Sequence, residues 1–238
     1  MRRITNQDDA SARNRAYYDR PEIRSAYAPD KGLDAAEAAL VARFLPARGL
    51  VLDLGCGNGR FALALSALGF AAEGLDISPS MIAEAEAAAV AAGADVTFRV
   101  GDAVALPNGA GELDAVVFGC NGIGHLTRDG KIACLREVRR VLRPGGVVLL
   151  SLRTPYALNR MLPRLLRNVV LPRKSLRADE ESEGDQYVQR PSLGWLVTQC
   201  REAQLTPVCV CSHRQAMAGR FPSRTAPVGG QFYVVATA

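Results

Sequence analysis

Ten consecutive residues, Val51-Leu52-Asp53-Leu54-Gly55-Cys56-Gly57-Asn58-Gly59-Arg60, constrain this chain more than any other stretch. They read as an apolar strand running into a glycine-rich turn that opens directly into a helix. Glycines in such a turn let a ligand approach the backbone and allow φ > 0. The helix start presents N–H groups suited to a polar or anionic ligand group. A dinucleotide fingerprint reads GxGxxG. Here Arg60 stands where the last glycine of that pattern falls, and an acid, Asp53, lies two residues before the first. No Gly-Lys-Ser/Thr follows, which excludes a P-loop.

The surroundings of this turn alternate strand and helix. Leu50–Leu54 and Ala71–Leu75 read as strands, as do Asp95–Val100, Leu113–Phe118 and the almost wholly apolar Val147–Leu152. Between them fall helices at Arg60–Leu68, Pro79–Ala92 and Asp129–Leu142, the second capped by Ser78 with Pro79 in its first turn. Leu33–Leu45 keeps helical spacing before the first strand, and Ser192–Ala203, Thr206–Ser212 and Gln231–Thr237 supply a further helix and two strands. This rhythm predicts an α/β fold: an open, mostly parallel sheet with helices on both faces. Two connections break it. Nearly forty residues separate Leu152 from Pro191, which predicts an inserted cap, and a second long connection runs from His213 to Gly230. The division expected is a helical N-terminal segment over 1–49, a ligand-binding core over 50–152, a lid over 153–190, and a last helix with two strands over 191–238.

The Asp-Leu-Gly-Cys-Gly-Asn-Gly run resembles the first motif of class I S-adenosylmethionine-dependent methyltransferases. The resemblance continues in order through Gly74-Leu75-Asp76-Ile77-Ser78, Gly101-Asp102-Ala103 and Leu142-Arg143-Pro144-Gly145-Gly146. It covers residues 50–152 closely, and the C-terminal helix and strands loosely. It implies a Rossmann-like seven-stranded sheet with the last strand antiparallel. It also implies S-adenosyl-L-methionine as cofactor and S-adenosyl-L-homocysteine as product. By the same resemblance Asp53, Gly55, Cys56, Gly57 and Gly59 meet the methionine part, Asp76 accepts from the ribose diol, and Ile77 packs on adenine. Asp102 and Ala103 meet the adenine amino group, and the backbone from Phe118 to Cys120 meets the methionine ammonium. Asp76 also reads as a helix-cap acid, and Asp102 as a turn residue.

Methyl transfer is an in-line displacement, so orientation supplies much of the rate, with a base needed only to take up the acceptor's proton. The chain has two histidines. His125, in Cys120-Asn121-Gly122-Ile123-Gly124-His125-Leu126, lies just past the fourth strand, at the sheet edge where ligands bind. It is the candidate catalytic base, against a reading as a helix cap or packing residue. Asn121, His213, Tyr17 and Tyr18 are candidate acceptor-binding residues, with loop placement or simple packing as the plainer readings. Six basic residues between Arg160 and Arg177, followed by acids from Asp179 to Asp185, read as an amphipathic cap helix or a lid attracting an anionic substrate.

Composition narrows the function. A net charge of +5 and a pI near 9.0 fall short of a nucleic-acid signature. The six cysteines form no CxxC pair, so no metal site is expected, and reduced thiols suit a cytoplasmic location. No apolar run is long enough to span a membrane. The reading is methyl transfer to an O, N or S atom of a small-molecule acceptor. An RNA methyltransferase, a non-catalytic cofactor-binding subunit and a homodimer stay open.

Overall fold

The computed structural model describes residues 4, 6–24, 32–154, 185–222 and 230–238. Seven strands form one sheet: β1 (Leu50–Leu54), β2 (Ala71–Asp76), β3 (Val96–Val100), β4 (Leu113–Phe118), β5 (Leu142–Thr154), β6 (Thr206–Ser212) and β7 (Gly230–Thr237). Their order is β3-β2-β1-β4-β5-β7-β6. β1 pairs in parallel with β2 and β4, β2 with β3, and β4 with β5, whereas β7 runs antiparallel to both β5 and β6. The strand order reverses at β1 and β4, and the crevice beyond their carboxyl ends is where an open α/β sheet binds ligands.

Alternate residues of each central strand feed opposite faces. Leu52, Val116, Val148 and Leu150 pack with Leu135 and Val138 of α6 (Arg128–Val141) and Leu196 of α7 (Leu193–Glu202). Val51, Ala115, Val117 and Leu149 pack on the other side with Leu40 and Val41 of α3 (Ala35–Phe44) and Phe61 and Leu65 of α4 (Arg60–Ala67). Cys209 and Cys211 share that second face and are fully buried, as their alternation predicts. α5 (Pro79–Ala92) starts where expected, with the Ser78 side chain accepting from the Met81 N–H. All six cysteines are free.

Two elements differ from the sequence expectation. β5 begins at Leu142 rather than Val147, because Leu142 already pairs with Leu113. The strand then bulges through Arg143–Gly146 before pairing Val147 with Ala115. The expected turn at Pro144-Gly145-Gly146 therefore interrupts a strand instead of preceding one. The connection after β6 holds a short helix, α8 (His213–Met217), opened by a capping box between Ser212 and Gln215. The N-terminal segment forms α1 (Gln7–Tyr18) and α2 (Pro21–Arg24). The expected cap falls mostly outside the described residues, including the basic run from Arg160 to Arg177. No helix among the described residues is long and apolar enough to cross a membrane.

Candidate active site

The glycine turn leaves β1 by folding over the end of β2: Gly55 and Cys56 both donate their N–H to the Leu75 carbonyl, at 2.7 and 3.1 Å. Gly57 has φ +54°, and a Cβ there would meet nothing within 4 Å, so its backbone faces open space. The Gly57 N–H donates to Asp76 Oδ2 at 2.8 Å, and Ser78 N–H to Asp76 Oδ1 at 2.9 Å. Beside this turn is a cavity of about 260 Å³. Asp53, Gly55, Cys56, Gly57, Asp76 and Ile77 line one part of it, and Asp102, Ala103, Phe118 and Cys120 the other.

Gly59 stands off this wall. It caps α4 in the left-handed region, at φ +88°, and a Cβ would lie 2.8 Å from the Phe98 ring, so packing and turn geometry explain the residue. Asp53 is 2% exposed and accepts from the Ala62 N–H at 3.1 Å. Burial pushes its pKa up to about 8, against the opposing pull of the Arg60 charge and the Ala62 N–H. Burial also raises Asp76, with the Ser78 and Gly57 N–H groups opposing.

The residues fit the nucleoside end of S-adenosylmethionine on the chemistry of their donors and acceptors. A carboxylate has about four acceptor sites, and Asp76 accepts the Gly57 and Ser78 N–H groups with capacity left for a diol. Asp102 accepts from Ser11 Oγ at 2.7 Å and from Val104 N–H at 3.2 Å, with capacity left for an exocyclic amine. Ile77 and Met81 add an apolar surface for a base.

α1 closes the cavity. Gln7, Ser11, Asn14 and Tyr18 all line it, at positions i, i+4, i+7 and i+11 of one helix face. The sequence reading singled out only the last, although the spacing of the polar face was present in the chain. Tyr17 points elsewhere: its ring packs edge-on against Tyr18, with the Arg20 guanidinium over it at 5.6 Å. His213 also stands apart, stacked on Tyr233 with Nδ1 3.1 Å from its hydroxyl.

A second cavity, about 390 Å³, adjoins the first. Tyr18, Arg60, Cys120 and His125 belong to both walls. The second cavity adds Asp34, Glu37, Asn121, Arg153, Gln186, Arg190 and Gln231. Most of these were not anticipated, because they come from chain segments far apart in sequence. Arg60, unremarked except as the residue replacing a glycine, is the hub. Its guanidinium donates to both Glu37 oxygens, at 2.7 and 2.8 Å, to the Gly32 carbonyl, and to Cys120 Sγ at 3.4 Å. Cys120 and Asn121 are consecutive non-glycine residues at φ 49° and 64°. Asn121 is held there by donating its N–H to Ser151 Oγ and accepting the Arg153 N–H, both at 2.8 Å. This turn launches the 3₁₀ helix Gly122–His125 back toward the cavities.

His125 ends that helix. Its Nδ1 is 3.1 Å from the Tyr187 carbonyl and its Nε2 3.1 Å from Tyr18 Oη. A carbonyl only accepts, so Nδ1 carries the proton and Nε2 of the neutral ring accepts from tyrosine. Burial holds the His125 pKa down to about 4, the Tyr187 hydrogen bond opposing. Behind it, fully buried Lys131 donates from Nζ to the Leu126 carbonyl and to Gln189 Oε1, and burial lowers its pKa to about 7.

An open α/β sheet with a glycine cradle at the reversal point and an acid at the end of the second strand thus lies beside two adjoining cavities. Comparison with known proteins gives its kind. Residues 51–146 match the methyltransferase-domain family model. YqeM of Bacillus subtilis, which carries a methyltransferase name, is 31% identical over 120 residues, 50% of this chain and 48% of its own. The ubiquinone biosynthesis O-methyltransferase of Caulobacter vibrioides is 35% identical over 122 residues, 50% of this chain and 45% of its own. The chain thus spans about half the length of the curated relatives it matches. Two solved structures share the fold. The CcbJ methyltransferase of Streptomyces caelestis has a TM-score of 0.67 at 21% identity, covering 91% of this chain and 95% of its own. A TehB-like methyltransferase of Corynebacterium glutamicum has 0.63 at 18%, covering 95% and 98%. Residues 51–146 thus carry a methyltransferase domain, and the chain shares the fold of S-adenosylmethionine-dependent methyltransferases.

Proposed function

We propose that the protein transfers a methyl group to an O, N or S atom of a small-molecule acceptor seated in the second cavity. The observation that carries this reading is the shared wall: Tyr18, Arg60, Cys120 and His125 face both cavities, so a ligand in each would meet there. S-adenosylmethionine, when bound, supplies an electrophilic methyl carbon. The residues of the chain orient the partners and handle the proton. Asp76 and Asp102 hold the nucleoside, and the turn at Gly55–Gly57 presents backbone to the amino-acid end. The Arg60–Glu37 pair fixes the Cys120 turn. His125 is the base candidate, neutral and hydrogen-bonded at both ring nitrogens. An anionic group elsewhere on the acceptor suits Arg153, while Glu37 neutralises Arg60. The free thiols suit a reducing, cytoplasmic setting.

Incubation with methyl-labelled S-adenosylmethionine and a panel of small hydroxyl, amine and thiol compounds tests this. Label transfer that saturates with acceptor supports it. Tight binding of S-adenosylhomocysteine without transfer to any panel member favours a cofactor-binding subunit instead.

A further inference from the structure

Tyr18 and His125 both line the two cavities, with Tyr18 Oη 3.1 Å from His125 Nε2. The two rings meet edge-on, with centroids 5.6 Å apart and planes at 81°. The position is built from outside the sheet. Asn14, 4% exposed and one turn before Tyr18, donates to the His125 carbonyl at 2.9 Å and accepts the Tyr187 N–H at 2.8 Å. One side chain thus bolts α1 to both the histidine and the residue that fixes its tautomer. With Nδ1–H committed to the Tyr187 carbonyl, the polarity of the chain is set: the tyrosine proton points to Nε2, and Tyr18 itself lines both cavities.

We propose that the acceptor's reacting atom arrives as an uncharged O–H or N–H donor hydrogen-bonded to Tyr18 Oη, and that Tyr18 passes the proton on to His125 Nε2. This rests on the methyl-transfer reading above. As the acceptor atom forms its bond to the methyl carbon, the carbon–sulfur electron pair stays on sulfur. The acceptor's proton moves to Tyr18 Oη while the original tyrosine proton moves to Nε2, leaving a neutral tyrosine and an imidazolium. The structure has a place for that state. With Nε2 protonated and donating to Oη, the tyrosine hydroxyl turns to Gln186 Oε1, 3.3 Å away.

A histidine buried this way is a weak base, but an alkylated hydroxyl or amine is a far stronger acid than its parent, so a weak base suffices once transfer begins. A carboxylate or phenolate at the reacting position would set a second acceptor against the tyrosine lone pairs. The relay therefore selects the protonation state of the reacting group, and Tyr18, not His125, touches it.

Nitrogen-15 NMR on histidine-labelled protein tests this, because the chain holds only His125 and His213. The probes are phenol and its methyl ether anisole, each titrated into the S-adenosylhomocysteine complex. The expected result is a His125 protonated at Nδ1, whose Nε2 resonance moves with phenol and not with anisole. Tyr18→Phe should weaken phenol relative to anisole by about three- to tenfold, the worth of one neutral hydrogen bond. A His125 protonated at Nε2, or equal response to phenol and anisole, including response to neither, overturns the relay. Failure of the wild-type protein to bind S-adenosylhomocysteine would instead sink the underlying methyl-transfer reading.

Discussion

Replacing Asp76 by alanine isolates the part of the site to which nucleoside recognition is assigned in the proposed function. Its two oxygens each accept one backbone N–H, from Gly57 at 2.8 Å and Ser78 at 2.9 Å. With about four acceptor sites in all, the carboxylate keeps capacity for a ribose diol. A hydrogen bond to a charged group contributes about 1.5–3 kcal/mol. Losing that amount weakens S-adenosylhomocysteine by roughly 10- to 150-fold. The same substitution strips the Gly57 and Ser78 N–H groups of a partner, costing about 1–3 kcal/mol of stability if they stay dry. Calorimetry must therefore run well below the melting temperature, on a variant whose circular dichroism matches wild type. A 2′-deoxy analogue of S-adenosylhomocysteine separates the two effects. Wild type should discriminate against it, and Asp76→Ala should not. Affinity for S-adenosylhomocysteine within about threefold of wild type, or equal discrimination by both proteins, would refute the diol assignment.

Other outcomes follow from buried groups around the site. His125 falls from 6.5 to about 4 on folding, so protons bind the unfolded chain first and stability drops as pH falls from about 6.5 toward 4. Its share is about 3 kcal/mol, and His125→Gln should flatten that limb in denaturant titrations. Lys131, lowered from 10.5 to about 7, disfavours folding over the window between those values. Wild-type stability should gain a contribution as pH rises from about 7 toward 10, and Lys131→Met should remove it. At Gly74, paired across β2 and β3 with Phe98, a Cβ would lie 2.4 Å from that ring and 2.9 Å from Cys56 Sγ. Gly74→Ala should lower stability by about 1–3 kcal/mol and, by pushing Cys56 toward the cofactor cavity, weaken S-adenosylhomocysteine binding as well.

The cofactor side of the site was legible because it is local in sequence. A glycine turn, an acid at the end of β2 and an acid after β3 each sit within a few residues of a strand end, and the strand order brings those ends together. Helix and strand boundaries followed from caps such as Ser78 and Pro79. The Leu142 start of β5 was not legible, since a Pro-Gly-Gly stretch reads as a terminator. Only the pairing of Leu142 with Leu113 shows that the strand has already begun. The acceptor side was hidden for another reason. Its wall takes Tyr18 from α1, Asp34 and Glu37 from the start of α3, Arg153 and Gln231 from paired positions on β5 and β7, and Gln186 and Arg190 from a later segment. No periodicity links such residues. Tyr17 and Tyr18 were indistinguishable until helix phase was known, and phase gives Tyr18 the face shared with Gln7, Ser11 and Asn14.

That shared face also ties the two halves of the site together. α1 buries little apolar surface, with Ala10 and Asn14 as its buried residues. It is held instead by polar contacts: Gln7 Oε1 with Thr127, Ser11 with Asp102, Asn14 with His125 and Tyr187, and Arg20, just past its end, with Asp185. Neutral hydrogen bonds contribute about 0.5–1.5 kcal/mol each, the Ser11 bond to the Asp102 carboxylate somewhat more and exposed ion pairs less, so with so little apolar burial α1 belongs to the low-stability end of the structure. Yet the helix supplies a wall to both cavities. Ser11 touches the acid assigned to adenine, and Tyr18, seven residues on, touches the histidine assigned to the acceptor. A ligand that reorganises Ser11 and Asp102 therefore acts on the element that carries Tyr18. The cofactor cavity and the proposed proton relay thus rest on two turns of one helix.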